Sequence, residues 1–286
     1  MPVLERISAV LEQSSSLDRL AGPVAGFWSS VLRPPVVRDA ASGTALGHPL
    51  HPAAVLAPAG AFLSSAVLDA WGEPTAARRL VGVGVLTAAP AAVAGWSDWA
   101  DTEGAERRVG LVHAATNALG IAAYGMSWLQ RRRGRRGRAA GAVGLSLIGL
   151  GGWLGGHLAY ALGVGVDTTA FRSGPTEWTP VARSADITDG LHEVGAGDVT
   201  LVLTRAGGRL LALENRCTHR GGGLADGSLV DGCVECPWHG SRFDLTTGAV
   251  RRGPATRPQP AYEVREVDGR VEVRRAEERS LRTNPV

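Results

Sequence analysis

The fold of the C-terminal part of the chain is decided by Cys217-Thr-His219 and Cys236-Pro-Trp-His239, two short motifs separated by 16 residues. Each motif contains one cysteine and one histidine, and both residue types bind transition metals. We therefore expect Cys217, His219, Cys236 and His239 to be the ligands of one metal centre. Each of two loops would supply one cysteine and one histidine.

Two kinds of centre fit this residue set. A [2Fe–2S] centre with mixed ligands takes two thiolates on one iron and two imidazoles on the other, whereas a zinc site takes two cysteines and two histidines on one ion. Zinc fingers pair cysteine with cysteine and histidine with histidine, but each motif here contains both types, so the spacing favours two irons. Cys233 and Cys236 also form a C-x-x-C pair. We assign Cys233 to a β-strand rather than to the ligand set.

The residues around these ligands are similar to a known family. CTHRGG (217–222) and CPWHGSRFD (236–244) resemble the Rieske ferredoxin family, and RGPAT (252–256) resembles the proline loop that covers the cluster in that family. The similarity runs from about Trp178 to Arg275. It implies a [2Fe–2S] cofactor and one-electron transfer, and it implies that Ser241 bonds a bridging sulfide.

The chain departs from the respiratory members of that family at three positions. In those proteins each loop has an additional cysteine and the two form a disulfide, whereas Gly222 and Trp238 occupy the matching positions here. Phe243 stands where they have a tyrosine that bonds a cluster thiolate. Hydrogen bonds to sulfur stabilise the reduced cluster. We therefore expect a reduction potential below that of the respiratory proteins.

Apolar stretches and turn signals predict that the domain around the motifs is small and all-β. Residues 199–204 and 210–213 are apolar strands on either side of an Ala-Gly-Gly turn. Residues 262–267 and 270–273 flank Asp268-Gly269, which is a strong hairpin signal. The two metal-binding loops would then lie at one tip of the domain, with the histidine edges near solvent.

The N-terminal half of the chain has a different character, because long stretches of it carry no charge. Four such stretches lie at about 40–68, 80–97, 109–130 and 139–166. A helix needs roughly 20 apolar residues to cross a bilayer, and the abundant alanine and glycine allow close helix contact in lipid. We expect four transmembrane helices. A helical bundle buried within a soluble protein is the alternative.

This half also shows a family resemblance. GHPLHP (47–52), GWSDWADT (95–102), GLVHAATN (110–117) and GGHLAYALGVGV (155–166) are similar to a four-helix bacterial membrane domain of uncharacterised function. The expected fold is an N-terminal all-α four-helix transmembrane bundle followed by a C-terminal all-β Rieske domain. The expected division of the chain is 1–45 (amphipathic and linker region), 46–166 (transmembrane domain), 167–177 (linker), 178–276 (Rieske domain) and 277–286 (tail). The polar linker could let the Rieske domain swing, although it is short.

Histidines recur in the predicted membrane domain. Four crossings place both chain ends on one side, and His51, His113 and His157 all lie in the half of the membrane nearest that side. Ionisable groups at such positions are costly and indicate function. These imidazoles could hold haem iron, hold another metal or hydrogen-bond a quinone. The alternative is that they cap helix ends and bond to one another. We expect His113 and His157 to come together around one ligand.

Composition and length exclude several classes of protein. With 44% hydrophobic residues the chain is not a disordered one, and three cysteines do not make a disulfide scaffold. A net charge of +3 gives no reason to expect a nucleic-acid partner. Residues 240–286 contain no histidine or cysteine for a second iron site. We therefore do not expect a Rieske terminal oxygenase.

The combination of domains gives two functional hypotheses. The first is a membrane-bound protein, in contact with lipid, that exchanges single electrons with a redox partner protein and relays them to a quinone or a haem in the bundle. The second is a membrane-anchored redox or iron–sulfur sensor whose bundle is only structural. The absorbance of the purified protein would separate a haem relay from the other possibilities.

Arginines predict how the protein lies in the cell membrane. Residues 131–138 contain six arginines and the loop between the first two helices adds two, whereas the opposite loop has only two. Positively charged short loops stay in the cytoplasm, which predicts a multi-pass protein with an extracytoplasmic Rieske domain. Against this, iron–sulfur clusters are generally assembled in the cytoplasm. A twin-arginine export route at Arg135-Arg136, before the last helix, would reconcile the two arguments.

Overall fold

The computed structural model describes residues 3–276, which form two compact units. The helical unit consists of residues 3–41 and 49–165, and the β unit of residues 42–48 and 166–276. The predicted tail (277–286) lies outside the described residues. The expected fold class, an N-terminal helical region followed by an all-β domain, is confirmed.

The helical unit has more helices than the four that we expected. The helices of the described residues are α1 (Val3–Gln13), α2 (Asp18–Val31), α3 (Pro35–Ser42), α4 (Leu50–Ala54), α5 (Leu56–Ala70), α6 (Pro74–Ala100), α7 (Gly104–Arg132) and α8 (Arg138–Tyr160). Only Val55 separates α4 from α5, so these two form one nearly continuous span. The expected N-terminal amphipathic segment forms α1, and the additional helices are α2 and α3.

Within the described residues, three helical spans are long and apolar enough to cross a membrane, by length and composition. They are Leu50–Ala70, Pro74–Ala100 and Arg138–Tyr160. At most 33% of the most apolar stretch of each span is buried inside the protein, so most of these side chains face outward. Helix α7 is longer still, but His113, Thr116 and Asn117 lower its mean hydropathy. Three of the four expected spans therefore meet this criterion, and the expected span at 109–130 does not.

Proline and glycine set the ends of these helices. Pro74 is the first residue of α6, where its missing N–H costs no hydrogen bond. Helix α5 is followed by Gly72 at φ +84° and α7 by Gly134 at φ +73°. Both glycines adopt the left-handed conformation that closes a helix at its C-terminal end. The two helices thus end in the same way.

The β unit contains ten strands in its described part. They are β1 (Thr179–Arg183), β2 (His192–Ala196), β3 (Val199–Ala206), β4 (Arg209–Glu214), β5 (Ser228–Val230), β6 (Cys233–Glu235), β7 (Arg242–Asp244), β8 (Val250–Arg252), β9 (Ala261–Val267) and β10 (Arg270–Arg275). The larger antiparallel sheet has the order β1-β10-β9-β4-β3-β2, and the smaller has the order β5-β6-β7-β8.

The strand predictions are confirmed. The two predicted hairpins correspond to β3–β4 and β9–β10. Asp268 and Gly269 between β9 and β10 have φ +49° and +72°, which is the conformation that a two-residue type I′ turn requires. One apolar core in this unit contains Cys217 and Cys236 together with Phe243. The smaller sheet therefore lies directly against the predicted metal ligands.

Candidate functional site

The first predicted metal-binding loop follows β4 and closes on its own cysteine. The backbone N–H of Cys217 donates to the carbonyl of Gly222 at 2.9 Å. The N–H of Gly221 donates back to the carbonyl of Cys217 at 2.8 Å. These two main-chain bonds close the loop around the sulfur of Cys217, so the shape of the loop does not depend on a bound metal.

The second loop, between β6 and β7, repeats this design. The N–H of Cys236 donates to the carbonyl of Ser241 at 2.8 Å, and the N–H of Gly240 donates to the carbonyl of Cys236 at 3.0 Å. Gly221 and Gly240, each four residues after its cysteine, have φ +81° and +74°. This left-handed conformation explains why both motifs contain glycine at that position.

The two thiols face each other in a buried position. The Cys217 thiol donates to the sulfur of Cys236, and this bond is the main reason why the pKa of Cys236 falls to about 7. The backbone N–H groups of Trp238 and His239 also lower that pKa, whereas burial opposes the shift. The pKa of Cys217 is raised, because its proton is held in the bond to Cys236 and because it is buried. Main-chain N–H groups at 219–220 point at its sulfur. Both sulfurs therefore meet donors that stabilise a thiolate, the form that binds metal.

The two imidazoles of the motifs also come together. The ring centroids of His219 and His239 are 5.0 Å apart and the rings are nearly perpendicular, at 89°. With metal–nitrogen bonds of about 2.0–2.1 Å, two imidazoles on one ion have centroids about 5–6.5 Å apart. The two thiols and the two imidazoles thus form two adjacent pairs. This donor set fits a [2Fe–2S] cluster with mixed ligands.

A buried glutamine that the sequence analysis missed braces the first loop. Gln259 is 1% exposed, and its Nε2 donates to the carbonyls of Glu214 and Arg216 at 2.6 and 2.7 Å. Its Oε1 accepts the N–H of Thr218 at 3.1 Å. The available signal was a polar amide between two prolines in residues 258–260.

The segment that we expected to be a linker is bonded to the β unit. Thr168 donates its N–H to the carbonyl of Thr218 at 3.2 Å and its hydroxyl to the carbonyl of Cys217 at 2.8 Å. Arg172 Nε donates to the buried carboxylate of Glu214 at 2.7 Å. The expectation of a swinging linker is therefore wrong for residues 167–172. The polar side chains that suggested a linker bind the first loop instead.

Ser241 and Phe243, the two residues that the resemblance singled out, lie on the second loop and the strand that follows it. Ser241 is fully buried, and its Oγ accepts the N–H of Ala255, in the predicted proline loop, at 3.0 Å. A hydroxyl that accepts one bond still has its own proton to donate. Phe243 is fully buried on β7 and contributes no polar atom to the core around the cysteines.

The two positions at which the respiratory proteins have a disulfide are in contact here. A Cβ atom at Gly222 would lie 2.9 Å from the Trp238 ring and 3.2 Å from the sulfur of Cys236. The indole therefore fills the space that a side chain at position 222 would need, and packing joins the two loops. Cys233 lies on β6 as predicted, and its thiol donates to the carbonyl of Asp231 at 3.8 Å.

Of the three membrane histidines, the structure brings two together. The rings of His51 and His113 have centroids 6.3 Å apart at an angle of 83°. His157 lies elsewhere: its Nε2 is 2.8 Å from a carboxylate oxygen of Glu12 in α1, and its ring stacks on Trp153.

The expected pair of His113 and His157 is therefore wrong. His113 contacts α8 at Gly151 and Gly155, which lie one turn apart on one face of that helix. His157 comes two residues after Gly155, and two residues are about half a turn of an α-helix. It consequently faces away from His113, toward α1.

Comparisons with known proteins agree with the two-unit structure. The family description "Rieske [2Fe-2S] domain" matches residues 177–263, and "Predicted membrane protein (DUF2231)" matches residues 47–168. The anthranilate 1,2-dioxygenase ferredoxin subunit of Burkholderia cepacia is 38% identical over 98 residues, which are 34% of this chain and 91% of that protein. Ferredoxin CarAc of Metapseudomonas resinovorans is 34% identical over 100 residues, with coverages of 34% and 92%.

A solved structure is also similar to the β unit. The ferredoxin of carbazole 1,9a-dioxygenase from Nocardioides aromaticivorans IC177 is 26% identical, with a TM-score of 0.33, over 34% of this chain and 96% of that chain. The C-terminal third of the chain thus spans nearly the whole length of small ferredoxin components.

Proposed function

We propose that this protein carries single electrons at a membrane, on the premise that the chain belongs to the Rieske [2Fe–2S] family and contains a DUF2231 membrane-protein domain in the same polypeptide. The Rieske domain implies a [2Fe–2S] cluster as cofactor. The observation that carries the proposal is the donor set. Two buried thiols meet each other, and two imidazoles lie 5.0 Å apart, on two loops of the same design.

In this proposal Cys217 and Cys236 bind one iron, and His219 and His239 bind the other. When bound, the cluster supplies one-electron oxidation and reduction. The main-chain N–H groups that face the two sulfurs stabilise negative charge there, and Ser241 offers a further donor. Both imidazoles are half-buried, and in this proposal the electron passes to the partner protein through them.

The relatives suggest the kind of partner. They are named as ferredoxin components, one of them as a subunit of a dioxygenase. We therefore expect a redox partner protein such as an oxygenase or a reductase. The exposed Trp238 lies between Cys236 and His239 in the sequence and offers this partner protein an apolar contact surface.

The helical unit holds the carrier at the membrane and extends the electron path. In this proposal His51 and His113 serve a relay to quinone or haem, and the close approach of their two rings supports this. His157, which is bonded to Glu12, takes no part in it. The arginine-rich segment 131–138 supports a multi-pass arrangement with an extracytoplasmic Rieske domain. A reporter fused after Val286 that is active only outside the cytoplasm tests the orientation.

The experiment that tests the function is electron paramagnetic resonance on the full chain in detergent. We expect the reduced protein to give a Rieske signal with a low average g value. His239→Ala should abolish that signal, whereas His192→Ala, a histidine on β2 in the same unit, should retain it. One zinc ion and no iron per chain in metal analysis would contradict the proposal.

A further inference from the structure

The helical unit contains an internal repeat that the sequence analysis did not detect. Helices α4 and α5 match α7 at a constant offset of 62 residues. The matching pairs are His51 and His113, Phe62 and Tyr124, Ser65 and Ser127, Asp69 and Arg131, and Gly72 and Gly134. Gly72 and Gly134 are the two left-handed residues that follow α5 and α7. The first helix of each hairpin is therefore repeated.

The second helix of each hairpin is repeated as well, at an offset of 60 residues. The matching pairs on α6 and α8 are Gly84 and Gly144, Ala91 and Gly151, and Gly95 and Gly155. Their contacts match. A Cβ atom at Gly84 would clash with the ring of Phe62, and one at Gly144 would clash with the ring of Tyr124. Each half of the repeat thus makes room for its own aromatic ring.

Residues of one half meet their counterparts in the other. The rings of Phe62 and Tyr124 stack with centroids 3.8 Å apart and planes 7° apart. Asp69 and Arg131 form an ion pair at 2.5 Å. Direct contact between equivalent residues is the property of an interface around a two-fold axis. These contacts fit two hairpins that are related by an approximate two-fold axis between α5 and α7.

His51 and His113 are the third pair on this axis, and both imidazoles are held in the same way. His51 Nδ1 lies 2.8 Å from the carbonyl oxygen of Ala91, and His113 Nδ1 lies 2.8 Å from that of Gly151. A carbonyl only accepts hydrogen bonds, so each Nδ1 carries the ring proton. Each Nε2 then keeps its lone pair. Metal-binding histidines adopt this same tautomer when a main-chain carbonyl accepts the proton of their other ring nitrogen.

Glycines give both rings their space, and within residues 3–276 the side chain recorded near a ring nitrogen of this pair is that of Asn117. Cβ atoms at Gly95 and Gly155 would lie 2.8 and 3.0 Å from Cε1 of His51 and His113. The Asn117 amide donates to the carbonyl of His113 at 2.9 Å. It is almost equally far from the two ring nitrogens, at 3.3 and 3.4 Å, so its contact with Nε2 is long and shared with Nδ1, and an ion at Nε2 would displace it.

We propose that His51 and His113 bind one transition-metal ion through their Nε2 atoms, either as a bare ion or as the iron of a haem, on the axis of this duplicated hairpin. The centroid separation of 6.3 Å falls within the range of about 5–6.5 Å that two imidazoles on one ion produce. Imidazole suits copper, zinc and iron alike. A role of this ion in electron relay rests on the proposed function, but its binding does not.

The test uses the purified full chain in detergent, titrated separately with Cu⁺, Zn²⁺ and hemin. Wild type should bind about one equivalent of one of these beyond the cluster iron, and a Soret band identifies haem. His51→Ala and His113→Ala should each weaken binding at least tenfold. His157→Ala, a histidine on α8 that faces Glu12, should bind as wild type does.

Conservative variants guard against a folding defect. His51→Asn and His113→Asn keep an amide donor for the Ala91 and Gly151 carbonyls but remove Nε2, so the same loss is expected with normal folding. No binding of any of the three probes, or binding unchanged in both Asn variants, overturns the proposal. The Rieske signal, recorded on the same samples, reports on the electron-carrier function separately.

Discussion

The molecule contains two pairs of imidazoles, and they are held in opposite ways. His219 and His239 lie 5.0 Å apart on loops whose shape is set by hydrogen bonds around Cys217 and Cys236. His51 and the residue it meets, His113, lie 6.3 Å apart on helices, and a main-chain carbonyl of a neighbouring helix holds each ring. The first pair depends on local turns, whereas the second depends on the fit between two helical hairpins. Changes far from the ligands should therefore disturb the second pair more than the first.

The largest effect should come from the ion pair on the axis of the helical unit. Arg131→Leu leaves the mostly buried carboxylate of Asp69 without its bidentate partner. Breaking such a pair costs about 3 kcal/mol, so we expect a clearly lower melting temperature in detergent with an intact Rieske signal. Arg133→Leu, an exposed arginine on the same turn, is the matched control.

The approximate symmetry allows a stricter test of the Asp69–Arg131 ion pair, in which the two residues are exchanged. In the double variant Asp69→Arg with Arg131→Asp, the new arginine lies four residues after Ser65, as Arg131 lies four residues after Ser127. The swap should recover at least half of the lost stability. A swap that is no better than the single variants would contradict the two-fold arrangement.

The next effect concerns metal affinity and the glycine that packs against the imidazole of His113. Gly155→Ala places a methyl group 3.0 Å from His113, whereas Gly152→Ala adds the same methyl to the same helix with no atom within 4 Å. Displacing a metal ligand through its supporting contacts costs about 10–100-fold in affinity. Titration with the ion that the wild type binds should show this loss for Gly155→Ala only. Equal affinities of the two variants would show that the imidazole position does not matter.

A smaller effect is expected at the cluster loops. Phe243→Tyr adds a hydroxyl donor to the core that contains both thiols. A hydrogen bond to a thiolate stabilises the reduced, more negative state, so the midpoint potential should rise, by about 60 mV for a bond of about 1.4 kcal/mol. Phe243→Leu, which adds no donor, is the control. A redox titration in which the tyrosine variant stays level with wild type would refute this role for position 243.

The smallest effect concerns the turn after β7. Burial opposes ionisation of Asp244, but hydrogen bonds from Arg251, Thr246 and Thr247 outweigh it, and the pKa of Asp244 lies below its ordinary value of 3.8. The charged form therefore stabilises the fold above about pH 4, and this contribution disappears as the pH falls through the lowered pKa. Asp244→Asn should cost about 1 kcal/mol at pH 7. Denaturant unfolding should show the difference shrinking in acid.

The sequence predicts features that are formed by neighbouring residues better than contacts between residues that are far apart in the chain. The ligands of the β unit and the hairpin at Asp268-Gly269 lie within short motifs, so residue type and spacing were sufficient. The brace by Gln259 and the bond from Thr168 to Cys217 join residues about 40 to 50 positions apart, and no local pattern announces them.

The helical unit shows the same limit in another form. We paired His157 with His113 from the sequence because both lie at a similar depth in the predicted membrane. Depth does not determine which face of a helix a residue occupies, and His157 faces α1. The pairing of His51 with His113 was equally hidden, because it becomes visible only when two weakly similar segments are aligned. Length and hydropathy were sufficient for three of the four expected spans.

The contact between Trp238 and Gly222 has a consequence for where this domain can work. The two loops are joined by an indole ring against a glycine backbone, and none of the three cysteines forms a disulfide within the described residues. A link of this kind contains no bond that glutathione or dithiothreitol could cleave. The loops therefore need no oxidising compartment to stay together. The contact between Trp238 and Gly222 is therefore the same on either side of a membrane, in a reducing or in an oxidising medium.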